Sequence, residues 1–234
     1  MSIHPMKNPD TVCYIITAFN NLSNCESFVR LILSVRTPKF LKSGKGELFR
    51  VVKEILRNPG KMASAQKIRN LVHKAKPAQG YIHGQHDVSE FTSHFIEVLE
   101  DEFVNSFMGF SELFDTTIVK TKFCENCNNA SQVEQNVTTR MHPLPVHETS
   151  LRASWETYLA PERQKVTCEK CQHRYQLVCS EVVTEPKILC LSYNRFRNTE
   201  YQNKRTGETR HITEKVEADI ETPMIFNLGR KTYR

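Results

Sequence analysis

The chain has 234 residues, 39% of them hydrophobic and 25% charged, with a formal net charge of +6. This length allows one large domain or two small ones, and the composition is ordinary for a globular protein. No apolar run approaches the ~18 residues of a membrane-spanning helix, and the first ten residues lack the charged-then-apolar order of a secretory signal. We therefore expect no membrane partner, and the eight cysteines suggest a reducing compartment, cytoplasmic or nuclear.

Helical patterns dominate the first 105 residues. Apolar residues recur at helical spacing in three segments, residues 28–35, 48–56 and 68–72. The Asn-Pro-Gly sequence at 58–60 is predicted to end the second of these helices. A further helix is predicted to begin at Asp87, with Glu90 three residues on as its capping-box partner.

From Leu113 onward, β-branched and aromatic residues gather in short runs that predict strands. The predicted strands are residues 116–123, 132–139, 175–183, 187–196 and 212–220. A short helix is predicted around Trp155 and Tyr158, whose rings we expect to pack in a core. Helices followed by strands are typical of an α+β fold rather than of alternating β-α-β units.

Two Cys-x-x-Cys pairs, Cys124 with Cys127 and Cys168 with Cys171, lie among the predicted strands. Four thiolates in two such pairs suit tetrahedral zinc. The insert of about 40 residues between the pairs is longer than the usual ribbon spacing, so we expect it to carry strands of its own. A site with four sulfur ligands is closed, and we interpret the predicted Zn²⁺ as structural.

Cys13 lies just before a helical run that covers residues 14–22. The positive end of a helix dipole stabilises a thiolate, which makes Cys13 a candidate nucleophile. Asn8 lies five residues upstream, and its side-chain amide could donate to an oxyanion during attack on a carbonyl. Taken alone, Cys13 is also compatible with a buried structural cysteine.

Four blocks of sequence, taken in order, resemble the ubiquitin-specific proteases, a group of papain-like deubiquitinases. The blocks are Asn8-x4-Cys13-Tyr14, QHDVSEF at 85–91, the two cysteine pairs, and LCLSYNRF at 189–196. The corresponding family blocks read approximately N-L-G-N-T-C-Y, Q-Q-D-A-x-E-F, the zinc knuckles, and a strand that ends in L-K-R-F. The resemblance covers essentially the whole chain.

This resemblance implies a papain-like α+β cysteine peptidase of the thumb-fingers-palm type. Residues 1–105 would form a helical thumb with the cysteine box, and residues 106–190 would form zinc-binding β fingers and the start of the palm. Residues 191–234 would form an incomplete β palm.

Carried over by position, the resemblance implies that Cys13 is the nucleophile and Asn8 the oxyanion donor. Gln85 would support the channel for the ubiquitin tail, and Asp87 would hold that tail. The zinc ligands would be Cys124, Cys127, Cys168 and Cys171. The expected partner is ubiquitin or a ubiquitinated protein, bound by a monomer.

The catalytic His and its Asp or Asn partner belong, in this family, to palm strands that follow the fingers. The sequence stops at Arg234, before any such block, so we expect the chain as given to be inactive alone. We interpret the histidines that are present as surface or supporting residues, with His86 closest to the tail channel. The cysteine box also departs from the family, because Asp10-Thr11-Val12 stands where the family has Gly-Asn-Thr.

The sequence thus favours a thiol hydrolase that cleaves after the C-terminal glycine of ubiquitin. The alternative is a non-catalytic relative that binds ubiquitin or another partner. A third possibility is a basic zinc-ribbon module for nucleic acid, but no run alternates basic and aromatic residues, and a solvated basic face is favoured.

Overall fold

The protein divides into two compact units that together have an α+β composition. The computed structural model describes residues 4–8, 11–35, 46–81, 83–103, 109–132, 137–146, 149–202 and 209–233. Unit 1 comprises Met1–Phe114 and Pro186–Ile188, and unit 2 comprises Asp115–Glu185 and Leu189–Arg234. The three-part division with boundaries after residues 105 and 190 stays a prediction. Among the described residues, no helix has the length and apolar character that crossing a membrane requires.

Unit 1 is mainly helical. Its helices are α1 (Cys13–Ser23), α2 (Glu26–Ser34), α3 (Glu47–Arg57), α4 (Ala65–Ala75), α5 (Val88–Asp101) and α6 (Phe110–Phe114). Two short strands, β1 (Met6–Lys7) and β2 (Ala63–Ser64), pair in parallel, and Pro77–Gln79 forms a 3-10 turn. The helical predictions are confirmed, and α3 ends at Arg57, just before the Asn-Pro-Gly sequence.

Aromatic side chains fill much of the core of unit 1. The fully buried rings include Phe19, Phe28, Phe91, Phe95, Phe103, Phe110 and Phe114. Burial of one such side chain stabilises a fold by about 1.5–3 kcal/mol, so the packing of these rings between helices accounts for the stability of helices that are individually short.

A buried carboxylate caps helix α3. Glu102 accepts hydrogen bonds from the backbone N–H groups of Leu48 (3.1 Å) and Phe49 (2.7 Å). Gly46, the N-cap residue of α3, has no side chain that could accept these hydrogen bonds. Burial raises the pKa of Glu102, and the two N–H donors oppose that rise because they stabilise the charged form.

Unit 2 is built mainly of strands. They are β3 (Thr116–Cys124), β4 (Ala130–Gln132), β5 (Val137–Thr139), β6 (Met141–Leu144), β7 (Glu162–Gln164), β8 (Gln176–Thr184), β9 (Cys190–Tyr193), β10 (Phe196–Gln202), β11 (Thr209–Lys215), β12 (Phe226–Leu228) and β13 (Lys231–Tyr233). The largest sheet has the order β4-β3-β8-β7, with β5 also paired to β3. Strands β6 and β9 pair in parallel, and two antiparallel hairpins join β10 to β11 and β12 to β13.

The central pair of this sheet is β3 with β8. The strands are antiparallel, and their register runs from Ile118 opposite Val182 to Cys124 opposite Gln176. A register shift between Thr117 and Ile118 interrupts the pairing at its other end. The last residue of β3 and the first residue of β8 lie opposite each other at the same end of the sheet. The two cysteine pairs next to them are therefore close together.

Two predicted strands are shorter than the sequence pattern indicated. In the predicted strand 187–196, the backbone N–H groups of Lys187 and Ile188 donate to Glu112 (3.0 Å) and Leu113 (2.7 Å), and regular pairing begins only at β9. The predicted strand 212–220 ends at Lys215. Beyond it, the N–H of Val216 donates to the carbonyl of Arg195 (2.7 Å), which continues the β10–β11 pairing by one residue.

The core of unit 2 surrounds helix α7 (Leu151–Leu159). Trp155 packs with Leu144, Leu151, Phe226 and Leu228, which confirms its predicted core position. The ring of His142 is fully buried against Trp155, at 5.2 Å between centroids. Its Nε2 lies 2.9 Å from the Thr116 hydroxyl. Among the histidines interpreted as surface or supporting residues, His142 is therefore not a surface residue, because its ring packs in the core beside α7.

Candidate active site and metal centre

Cys13 is the first residue of α1, and its side chain is exposed. The preceding residue, Val12, is fully buried and stands at the N-cap, where no side chain caps the helix. The carbonyl of Val12 accepts from the N–H groups of Ile15 (3.0 Å) and Ile16 (3.2 Å). The uncapped start of a helix carries partial positive charge, so a thiolate or an oxyanion at Cys13 would be stabilised.

The structure places Asn8 just after β1, with its side chain exposed. Residues 9 and 10 between Asn8 and Thr11, which include Asp10 of the cysteine box, lie outside the described residues. The assignment of Asn8 as an oxyanion donor stays a prediction.

The backbone is strained immediately before the nucleophile candidate. Thr11 has a φ of 41°, in the left-handed region. A β-branched residue is unfavourable there, whereas asparagine adopts this conformation far more readily.

We expect Thr11→Asn to stabilise unit 1 by about 1 kcal/mol, because it relieves this strain. Urea unfolding followed by helical circular dichroism measures the change. The matched control is Thr17→Asn, since Thr17 is exposed within α1 and the two residue types have similar helix propensity. A loss of stability in Thr11→Asn would contradict the strain.

The second predicted block, residues 85–91, begins in an exposed segment and continues into α5. The Oδ1 atom of Asp87 accepts from the N–H groups of Ser89 (2.8 Å) and Glu90 (2.9 Å), which confirms that Asp87 starts the helix. Gln85 and Asp87 are both exposed. Their predicted contacts with a ubiquitin tail stay predictions.

An aromatic cluster joins this segment to the first turn of α1. The ring of His86 lies 5.4 Å from that of Tyr14 and 4.8 Å from that of Tyr81. Tyr14 also contacts Phe91, at 5.1 Å between centroids. The Nε2 atom of His86 lies 2.8 Å from the carbonyl oxygen of His83, to which its N–H form donates. The residue after Cys13 is thereby packed directly against the segment that carries Gln85 and Asp87.

Burial makes ionisation of the two tyrosines of this cluster still less favourable. Desolvation raises the pKa of Tyr14 and of Tyr81 above the ordinary value of a phenol. The hydroxyl of Tyr81 bonds to Nδ1 of His94 in α5. The cluster therefore acts as packing and as a hydrogen-bonded anchor, with the exposed thiol of Cys13 beside it.

The two cysteine pairs come together in unit 2 as predicted. The four sulfur atoms all lie within 4.8 Å of one another. Sulfur–sulfur distances are 3.4 Å between Cys124 and Cys171, and 3.8 Å between Cys127 and Cys168. Zn–S bonds of about 2.3 Å in a tetrahedron place neighbouring sulfurs about 3.8 Å apart, so the four residues fit a zinc ion.

The two pairs have the same backbone geometry. In the first, the carbonyl of Cys124 accepts from the N–H of Asn128 at 2.9 Å, and in the second the carbonyl of Cys168 accepts from Gln172 at the same distance. Asn128 and Gln172 both have positive φ, at 53° and 59°. Each pair is thus a tight turn that directs two sulfurs to one point.

Tyr81 belongs to the aromatic cluster, and Arg69 and His94 bond to it, but the roles of these three residues were not predicted from the sequence. A signal for Arg69 was available, since it occupies the buried face of α4 together with Ala65, Ile68 and Val72. A charged residue in an apolar helical stripe indicates a buried polar contact.

Comparison with known proteins supplies the family. No curated protein matches the chain. The family described as "Ubiquitin carboxyl-terminal hydrolase" matches it over residues 6–233, which is nearly its whole length. The chain therefore belongs to the ubiquitin carboxyl-terminal hydrolase family.

Proposed function

We propose that the protein is a cysteine-type deubiquitinase that hydrolyses the bond after the C-terminal glycine of ubiquitin. The family acts on ubiquitin conjugates and implies a papain-like α+β fold. The observation that carries the proposal is the exposed thiol of Cys13 at the uncapped start of α1. It is the position at which the family pattern puts the nucleophile.

The thiolate of Cys13 attacks the carbonyl carbon of the terminal glycine. The resulting oxyanion is held by the partial positive charge at the start of α1, and the side-chain amide of Asn8 donates to it. Collapse of this intermediate expels the lysine or peptide amine and leaves a thioester, which water then hydrolyses. Proton transfer requires a base, and we assign that role to no histidine among the described residues.

The remaining residues serve to bind the substrate. Gln85 and Asp87 lie exposed beside the cluster that holds Tyr14, which supports a role in binding the extended ubiquitin tail. In the proposed thumb-fingers-palm arrangement, the globular part of ubiquitin rests on the strands next to the four cysteines. Zn²⁺ in this closed site would stiffen those strands and take no part in hydrolysis. We also propose that the protein is a monomer and acts in the cytoplasm or nucleus.

A ubiquitin derivative with an electrophile at its C-terminus tests the role of Cys13. We expect the protein to form a covalent adduct of one ubiquitin per chain, and Cys13→Ala to form none. The control is Cys25→Ala, because the half-buried Cys25 has a pKa that burial raises, and its thiol donates to the carbonyl of Asn21. Adduct formation that survives Cys13→Ala, or no adduct with the unaltered protein, would contradict the proposal.

The second candidate is a ubiquitin-binding relative without turnover. It is favoured by one observation, the β-branched Thr11 in left-handed backbone just before Cys13. Release of an amine from a ubiquitin amide identifies the first candidate, since a non-catalytic relative binds ubiquitin and releases none. Capture of Cys13 by the electrophile without amine release indicates a nucleophile that lacks its base.

A further inference from the structure

We infer that Arg69 is a positioning residue that fixes the substrate-binding segment 83–87 against the start of α1. This inference rests on the proposed function, because it assumes that Gln85 and Asp87 contact the ubiquitin tail. Arg69 lies in α4, 14 residues before the start of the segment and in none of the predicted family blocks.

The guanidinium of Arg69 bonds to both ends of the turn that leads into the segment. Its Nε donates to the carbonyl of Tyr81, and its Nη2 donates to the carbonyl of Gly84 at 3.3 Å. Its Nη1 lies 3.5 Å from the side-chain oxygen of Gln66, one turn earlier in α4. A planar fork of donors can reach two carbonyls three residues apart, whereas a lysine ammonium would reach one of them well.

Arg69 is only 4% exposed, and its hydrogen bonds go to neutral oxygens of Tyr81, Gly84 and Gln66. A buried cation without an ion pair is costly unless its donors are satisfied. Here the satisfying groups are mainly backbone carbonyls of a single turn. Removal of either partner would leave buried polar groups without hydrogen bonds, so the guanidinium and the turn hold each other in place.

This turn also determines where Gln85 and Asp87, the proposed tail-binding residues, lie. Tyr81 is fully buried, its hydroxyl bonds to His94 of α5, and its ring contacts those of Tyr14 and His86. Helices α4, α5 and α1 thus hold the segment through Arg69, His94 and Tyr14 respectively. Gln85 and Asp87 are exposed, but the backbone that carries them is anchored on three sides. Gly84 supplies the bend, with a φ of +79°.

The experiment uses the full chain and the ubiquitin electrophile over a range of concentrations. The rate of adduct formation gives a half-saturating concentration, which reports ubiquitin binding, and a limiting rate, which reports the chemistry at Cys13. Iodoacetamide, which needs no tail-binding segment, measures the reactivity of the thiol alone.

For Arg69→Met we expect the half-saturating concentration to rise about tenfold, because the segment loses the hydrogen bonds that the charged guanidinium donates to it. The limiting rate and the iodoacetamide rate should stay within about twofold of those of the unaltered protein. Arg69→Lys should give an intermediate rise. The control is Arg57→Met, an exposed arginine at the end of α3, which should leave all three values unchanged.

Gly84→Ala tests the same segment without removal of a buried charge. A Cβ at this position meets no atom within 4 Å, so the substitution strains only the backbone conformation. We expect the same selective rise in half-saturating concentration, and this variant decides the question if circular dichroism shows that Arg69→Met is unfolded. Unchanged half-saturation in folded Arg69→Met, or in Gly84→Ala, overturns the inference. No adduct with the unaltered protein overturns the proposed function instead.

Discussion

Replacement of Cys168 by serine is expected to abolish stoichiometric zinc binding and to loosen the metal-bearing ends of β3 and β8. The four sulfurs fit one tetrahedral ion, and binding of structural zinc contributes about 10 kcal/mol or more at neutral pH. Loss of one of four ligands should therefore lower the zinc content from one equivalent to less than about one tenth. Elemental analysis measures the content, and hydrogen exchange of residues 116–124 and 176–184 measures the loosening.

The effect should be confined to unit 2, because all four ligands belong to it. Amide protection of helices α1 to α5 should not change when a chelator removes the metal. Cys179→Ser is the matched control, since Cys179 is a half-buried cysteine of β8 that belongs to neither pair. Retention of one zinc equivalent by Cys168→Ser would show that the four sulfurs do not form the site.

Unit 2 is also expected to lose stability in mild acid because of His142. Burial lowers the pKa of this histidine from 6.5 to about 4. Between these values the unfolded chain binds a proton that the folded chain does not, so falling pH favours unfolding. The stability is fully present above pH 6.5 and is lost by pH 4, with a total change on the order of 3 kcal/mol. Fluorescence of Trp155, the single tryptophan of the chain and a ring contact of His142, monitors the unfolding.

His142→Gln should flatten this pH dependence, since the amide can still bond to the Thr116 hydroxyl but does not titrate. Metal-binding thiolates also take up protons in acid and lower the stability of both proteins. The test is therefore the difference between the pH dependence of stability of His142→Gln and that of the unaltered protein. His83→Gln serves as the control because the His83 side chain is exposed. Parallel stability curves for His142→Gln and the unaltered protein would refute the role of His142.

Local chemistry explains which parts of the site could be predicted from the sequence. A Cys-x-x-Cys turn and a helix cap each depend on residues within one turn of chain, and both cysteine pairs and the cap at Asp87 lie where the sequence indicated. The start of α1 at Cys13 is also a local property, because the apolar spacing that follows it defines the helix.

The partners of single buried charged residues could not be predicted in this way. Glu102 caps a helix 54 residues away in sequence, and the partners of Arg69 lie in a turn beyond the end of α4. The apolar stripe of α4 indicates that Arg69 is buried. Its backbone partners and the burial of Glu102 cannot be read from such a local pattern, because both depend on the packing of segments distant along the chain. The same holds for His142, whose burial depends on Trp155 in the following helix.

Because β3 and β8 form a long antiparallel pair, the metal can bind only when the two strands are in their native register. A slip of one residue would displace the strands by about 3.3 Å and turn every side chain to the opposite face of the sheet. Cys124 would then pair with a residue next to Gln176 in sequence. The sulfurs of the second cysteine pair would be too far from those of the first to share one metal ion. Only one alignment of the two strands can complete the tetrahedron, so zinc present during synthesis should raise the yield of correctly aligned chains.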